Sequence, residues 1–209
     1  VGPRRTLIYL LRHGEIAGAA GRRFVGHLDV PLSVRGERQC VRQAERLRTV
    51  PLAAVIASDL ERARRSAEII AAPHGLRPQI VPALREMDMG RWDGLTAAEI
   101  GEREPGAFAA WMAHIGEFAF PGGESVPDLL ARAWPAFEAL TRTFAGRSIA
   151  IVAHGGTNRA LLCQILGLPL GRILGLGQDY GALTVLEQAG DGWCVRRLNE
   201  RPPAEEDVS

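Results

Sequence analysis

Two short segments of this 209-residue chain carry residue types that can act together on phosphorus: Arg-His-Gly at 12–14 and His-Gly-Gly at 154–156. A neutral imidazole such as that of His13 has a free nitrogen lone pair near pH 7 and is a good nucleophile toward phosphorus. Arg12 beside it offers a planar fork that matches phosphate oxygens two at a time. Glycine at 14 lets the backbone approach a bound anion. At the second segment, glycines leading into a helix leave N–H groups that point at an anion. His154 can then clamp charge that builds in a transition state.

Two further residues fit the same chemistry. Arg62, in a first helical turn near a strand's carboxyl end, is a candidate second phosphate clamp. Glu86 lies beside Met87 and Met89. A carboxyl group held against apolar walls next to a phosphate keeps its proton to higher pH and can protonate a leaving alkoxide. Each residue also fits a plainer role. His13 and His154 could be strand-end residues, Arg62 a solvated helix arginine, and Glu86 a partner of Arg85 or Arg91.

The elements that must position them follow from apolar patterning. Residues 7–12 and 148–153 are short apolar runs, read as buried strands that each deliver a histidine to one edge of a sheet. Between them, 53–57 and 78–84 read as strands, the latter ending at Glu86's neighbour. Ser33 caps a helix whose apolar positions are Val34, Val41, Ala44 and Leu47. Ser58 and Glu61 have capping-box spacing before a helix that buries Leu60, Ala63, Ala67 and Ile70. Thr96 with Glu99, and Ser125, cap two more helices. The first is interrupted near Pro105 and resumes as an aromatic-rich piece at 108–115; the second is kinked at Pro135. A helix at about 158–166 and a hairpin at 182–187 and 193–198 close the pattern. Alternating strands and helices predict one α/β domain: a three-layer α/β/α sandwich with a mostly parallel sheet and one antiparallel edge strand. Its core spans about 6–199, with an acidic, frayed tail at 202–209.

Composition narrows the function. Hydrophobic content of 46% and charged content of 23% are those of a globular protein, and the net charge of +1 gives no reason to expect nucleic acid or a membrane surface as partner. No apolar run reaches the ~20 residues of a membrane span, and no secretory signal opens the chain, so a cytoplasmic location is expected. The three cysteines are widely spaced and form no redox pair. All 25 basic residues are arginine, which excludes a P-loop, Schiff-base or kinase lysine. The approximate nucleophile elbow at 146–150 runs into a strand, and Gly175-Leu176-Gly177 lacks Rossmann spacing. No His-Glu-x-x-His or carboxylate cluster suggests a catalytic metal.

Six separated segments together resemble the histidine phosphatase superfamily, in its phosphoglycerate mutase-like branch: 11–15, 26–33, 58–63, 84–94, 121–125 and 152–156. The resemblance implies that His13 becomes phosphohistidine, that Arg12, Arg62 and His154 complete the phosphate pocket, and that Glu86 is the proton donor. It implies no metal or cofactor. Substrate contacts are expected from Gly14, Phe24, Gly26 and Gly155. One departure is that Ile16 and residues 17–20 stand where the family often has Thr or Ser and a Trp-Asn pair, so an asparagine that assists the substrate is missing.

The short Gly-Arg-Trp-Asp-Gly turn after Glu86 resembles phosphatases rather than mutases. Hydrolysis of a small phosphorylated metabolite is therefore expected, α-ribazole 5'-phosphate among the candidates, with an acidic to neutral optimum. A phosphoglycerate mutase-type phosphotransferase is the alternative enzyme, and a non-catalytic phospholigand scaffold the alternative of another class. Self-association into a homodimer is left open. Phe108, Trp111, Met112 and Phe118 could line a cap over an apolar substrate.

Overall fold

The computed structural model describes residues 5–190 and 192–202; the tail expected at 202–209 lies outside this range from residue 203 on. Six strands form one sheet in the order β3-β2-β4-β1-β5-β6. They are β1 (Thr6–Arg12), β2 (Leu52–Ala57), β3 (Gln79–Ile80), β4 (Ser148–Ala153), β5 (Leu183–Ala189) and β6 (Gly192–Glu200). The first four run parallel, and β5 pairs antiparallel with both β1 and β6. The closing hairpin thus forms the antiparallel side of a mostly parallel sheet.

Both faces of the sheet are covered, as its continuous apolar strands require. Leu11, Val55, Ala57, Ala150 and Val152 face α1 (Val34–Leu47) and α2 (Glu61–Ala71), which pack on each other. Ile8, Leu10, Ile56, Ile149 and Ile151 face the opposite layer, where α5 (Val126–Thr143) packs on α6 (Gly155–Leu166). The period of two along each strand therefore separates two cores. The short helices α3 (Ala97–Arg103) and α4 (Ala107–Ala113) lie between β3 and α5 in the chain. Among the described residues no helix is long and apolar enough to cross a membrane.

Three helix starts form as their capping residues predict: Ser33 accepts from Gly36, Thr96 forms a capping box with Glu99, and Ser125 forms one with Asp128. The helix α5 runs unbroken through Pro135. Other expectations are corrected. Val34 and Val41 are exposed, because α1 turns Gly36, Cys40, Gln43, Ala44 and Leu47 inward. That rotation is fixed where Gly36 crosses the backbone of Gly14 and Glu15 too closely for any side chain. The strand expected at 78–84 is only Gln79–Ile80, followed by a 3-10 turn at Pro82–Leu84; Pro82 has no N–H for a ladder. The helix α6 begins at Gly155 rather than near Asn158.

Candidate active site

Parallel pairing explains why the two histidines meet. Arg12 is in register with Ala153, so the residues one step further, His13 and His154, emerge side by side at the carboxyl ends of adjacent strands. Their ring centroids are 5.1 Å apart, and both rings are buried.

The His13 ring is oriented by its own turn. Nδ1 lies 2.7 Å from the carbonyl oxygen of Gly14. A carbonyl only accepts, so Nδ1 carries the proton and Nε2 keeps a lone pair. Burial, followed by the nearby Arg12 and Arg62 guanidinium groups, holds its proton affinity well below the ordinary imidazole value. The ring is neutral over the physiological range. His154 is likewise held well below that value, first by burial and then by Arg62, His13 and Arg12. Its Nε2 lies 2.7 Å from Ser58 Oγ, and its Nδ1 has no protein partner.

The structure corrects the expected role of Ser58. Its hydroxyl goes to His154, and α2 starts after Leu60 with no capping side chain of its own. Asp29 accepts from the Glu61 N–H instead. A buried imidazole nitrogen needs a partner more than an exposed helix end does.

Arg62 is 1% exposed. Its Nη1 donates to Leu28 O at 2.8 Å and its Nη2 to Gly26 O at 2.6 Å. Those carbonyls belong to a loop held in turn by Asp93, whose carboxylate accepts from the N–H groups of Gly26 and Leu28. Arg12 donates from Nη1 to Gln178 O and lies 3.8 Å above the Tyr180 ring, a cation–π contact between two half-buried side chains. Gln178 and Tyr180 reach the site because β5 runs antiparallel to β1, so the residues preceding β5 lie beside the end of β1.

Glu86 is 7% exposed and is anchored from two sides. Its carboxylate accepts the N–H groups of Met87, Gly156 and Thr157 at 2.9, 2.9 and 3.1 Å. Its carbonyl accepts from Arg132 of α5, which also binds the carbonyls of Ala83 and Arg85 and pairs with Glu124. Three backbone donors thus hold this carboxyl, and the expected apolar neighbours Met87 and Met89 line the same cavity. Arg85 and Arg91 pair with Asp59 and Glu104 instead.

Arg12, His13, Arg62 and Glu86 open onto one cavity of about 350 Å³, together with Phe24, Gly155 and Gly156. Gly14 and Gly26 act differently from expectation. The Gly14 N–H donates to Ser66 Oγ, and the missing side chain makes room for α1. Gly26 contributes the carbonyl that holds Arg62, and its closeness to Met87 and Met89 leaves no space for a Cβ. Ile16, which stands where the family often has Thr or Ser, lines the cavity. Of the four cap candidates only Trp111 lines it; Phe108 and Phe118 pack behind, against Phe24 and Trp92, and Met112 is half exposed. Ser58, Arg132, Arg159, Gln178 and Tyr180 are the site residues that patterning did not single out. Of these, only Ser58 carried a signal of its own, and that signal had another reading.

A neutral nucleophilic ring, two guanidinium groups and a carboxyl group line one cavity, with the fully buried His154 ring behind the nucleophile, a donor set suited to a phosphoryl group. The model of the histidine phosphatase superfamily (branch 1) matches residues 8–201. A protein of Klebsiella pneumoniae named a probable phosphoglycerate mutase, GpmB, is 38% identical over 162 residues, covering 78% of this chain and 75% of the relative. Among solved structures, YhfR of Bacillus stearothermophilus superposes with a TM-score of 0.87 at 31% identity, covering 93% of this chain and 97% of that one. The α-ribazole phosphatase of Shigella flexneri gives 0.85 at 26% identity, with 96% and 100% covered. Sequence and fold agree, and the chain belongs to the histidine phosphatase superfamily.

Proposed function

We propose that the chain is a metal-independent phosphomonoester hydrolase that works through a phosphohistidine on His13. The observation that carries this reading is the His13–Gly14 hydrogen bond, which leaves Nε2 unprotonated in a cavity flanked by two guanidinium groups. In the first step the Nε2 lone pair attacks phosphorus, the P–O bond to the alcohol breaks, and Glu86 gives its proton to the departing oxygen. Arg12, Arg62 and His154 hold the equatorial oxygens. With Ser58 Oγ–H donating to Nε2 of His154, the proton of that ring sits on Nδ1, which has no protein partner and would donate to a phosphoryl oxygen. Each donor of this kind contributes on the order of 10²–10³ in rate. In the second step the Glu86 carboxylate takes a proton from water, the water oxygen attacks phosphorus, and the P–N bond breaks. Inorganic phosphate leaves and both side chains return to their starting states.

The substrate is a small phosphorylated metabolite; α-ribazole 5'-phosphate is one candidate, supported by the likeness to the Shigella enzyme. The likeness to GpmB keeps a second reading, phosphotransfer between phosphoglycerates. Turnover of p-nitrophenyl phosphate in EDTA tests the main reading. Release of phosphate in chelator is expected. Activity only after a divalent metal is restored, or no activity at all, overturns it. Conversion of 3-phosphoglycerate to its isomer faster than phosphate release would favour the mutase.

A further inference from the structure

We infer that the alcohol released is bulky and apolar or aromatic, an inference that rests on the phosphomonoesterase reading above. The lining of the 350 Å³ cavity falls into two unlike sets of side chains. The charged floor holds the phosphoryl-binding groups. Beyond it, the walls are Phe24, Met89, Trp111, Ile115, Ile173 and Leu174. The volume suits a small ligand rather than a polymer.

What the walls lack matters as much as what they contain. Among the described residues no Ser, Thr, Asn, Gln, Asp or Lys lines the cavity, and the polar side chains outside the floor are Arg22, Arg23, Arg159, Tyr180 and the Trp111 indole. Arginine and indole only donate, so the Tyr180 hydroxyl is the one side-chain acceptor away from the floor. A polyol entering this bay can accept from the arginines, but most of its O–H groups would give up water without a side-chain acceptor in return. An apolar skeleton gains by the same burial.

The bay is also stiff and open to such a ligand. Phe24 packs edge-on against Trp92 and Trp111, with centroids 5.5 and 5.3 Å away, and Trp92 in turn against Phe120. These edge-to-face contacts fix the wall's shape. On the opposite side, Leu174 lines the cavity yet remains 49% exposed, so an apolar ligand would cover it.

The test compares two esters with the same primary-alcohol linkage and six-membered ring: cyclohexylmethyl phosphate and glucose 6-phosphate. The expected result is a kcat/KM at least about tenfold higher for the carbocycle, the scale on which apolar pockets discriminate. Leu174→Gln, at a half-exposed position, should shrink that ratio severalfold, with inhibition by inorganic phosphate confirming a folded phosphate site. If p-nitrophenyl phosphate is hydrolysed but glucose 6-phosphate is used as well or better, the inference is overturned and the hydrolase reading survives. A ratio unchanged by Leu174→Gln overturns the assignment of the bay. If no ester is hydrolysed, both readings fall together.

Discussion

The carboxylate of Glu86 occupies the space that a side chain on Gly156 would need. A Cβ built at that position runs into Oε1, while the Gly156 N–H donates to Oε2 at 2.9 Å. The start of α6 and the proposed proton donor are therefore a single packed unit.

Gly156→Ala should fold, since alanine suits a helix better than glycine, but it should push the carboxylate aside. The expected loss in kcat approaches that of Glu86→Gln, roughly 10²–10⁴. Inhibition by inorganic phosphate should change far less. Steady-state kinetics of both variants check this, and a wild-type kcat for Gly156→Ala would show that the carboxylate's position is immaterial.

Arg62→Lys keeps the charge but loses the fork that satisfies Gly26 O and Leu28 O. A point cation cannot span both carbonyls and a phosphate. Leaving a buried acceptor unpaired costs about 1–3 kcal/mol, so thermal unfolding should begin several degrees lower. The inhibition constant for inorganic phosphate should rise at least about tenfold if the guanidinium also binds the anion.

Ser58→Ala would strip His154 Nε2 of its buried partner. Lower thermal stability and about a tenfold lower kcat are expected, because the ring is no longer held in one tautomer. Ser58→Thr, which retains the hydroxyl, should recover part of both. A kcat untouched by the alanine change would separate His154 from catalysis.

The pH dependence follows from the two depressed imidazoles. Above the unfolded-state value of about 6.5, neither state takes up protons at these rings and stability is flat. As pH falls below it, unfolded histidines bind protons that the native rings refuse, so stability declines toward their lowered native values. Unfolding temperatures of the ligand-free protein should fall between about pH 7 and 5. By the same sign, an NMR titration of the ligand-free protein should show no midpoint near 6.5 for the His13 ring, which stays neutral well below it. A midpoint there would mean that His13 titrates as a free imidazole.

Much of this site was legible before any coordinates. The two strand ends at Arg12-His13 and Ala153-His154 mark themselves within a few residues, because apolar runs stop abruptly at glycine. The caps at Ser33, Thr96 and Ser125 are equally local. Gln178, Tyr180 and Arg132 carry no such mark. Their roles depend on β5 running antiparallel to β1 and on α5 lying against the 83–86 turn, relations fixed by packing across long stretches of chain. Ser58 shows the opposite failure: a local capping pattern was present, and a buried histidine brought in from β4 claimed its hydroxyl.

Covalent capture of the intermediate tests the account most directly. Brief mixing of the enzyme with a 32P-labelled phosphomonoester, quenched in alkali, should yield label on the protein that acid removes and that peptide mapping places on His13. His13→Ala should carry none and turn over no substrate. Label on another residue, or wild-type turnover by His13→Ala, would contradict the assignment of the nucleophile and the mechanism built upon it.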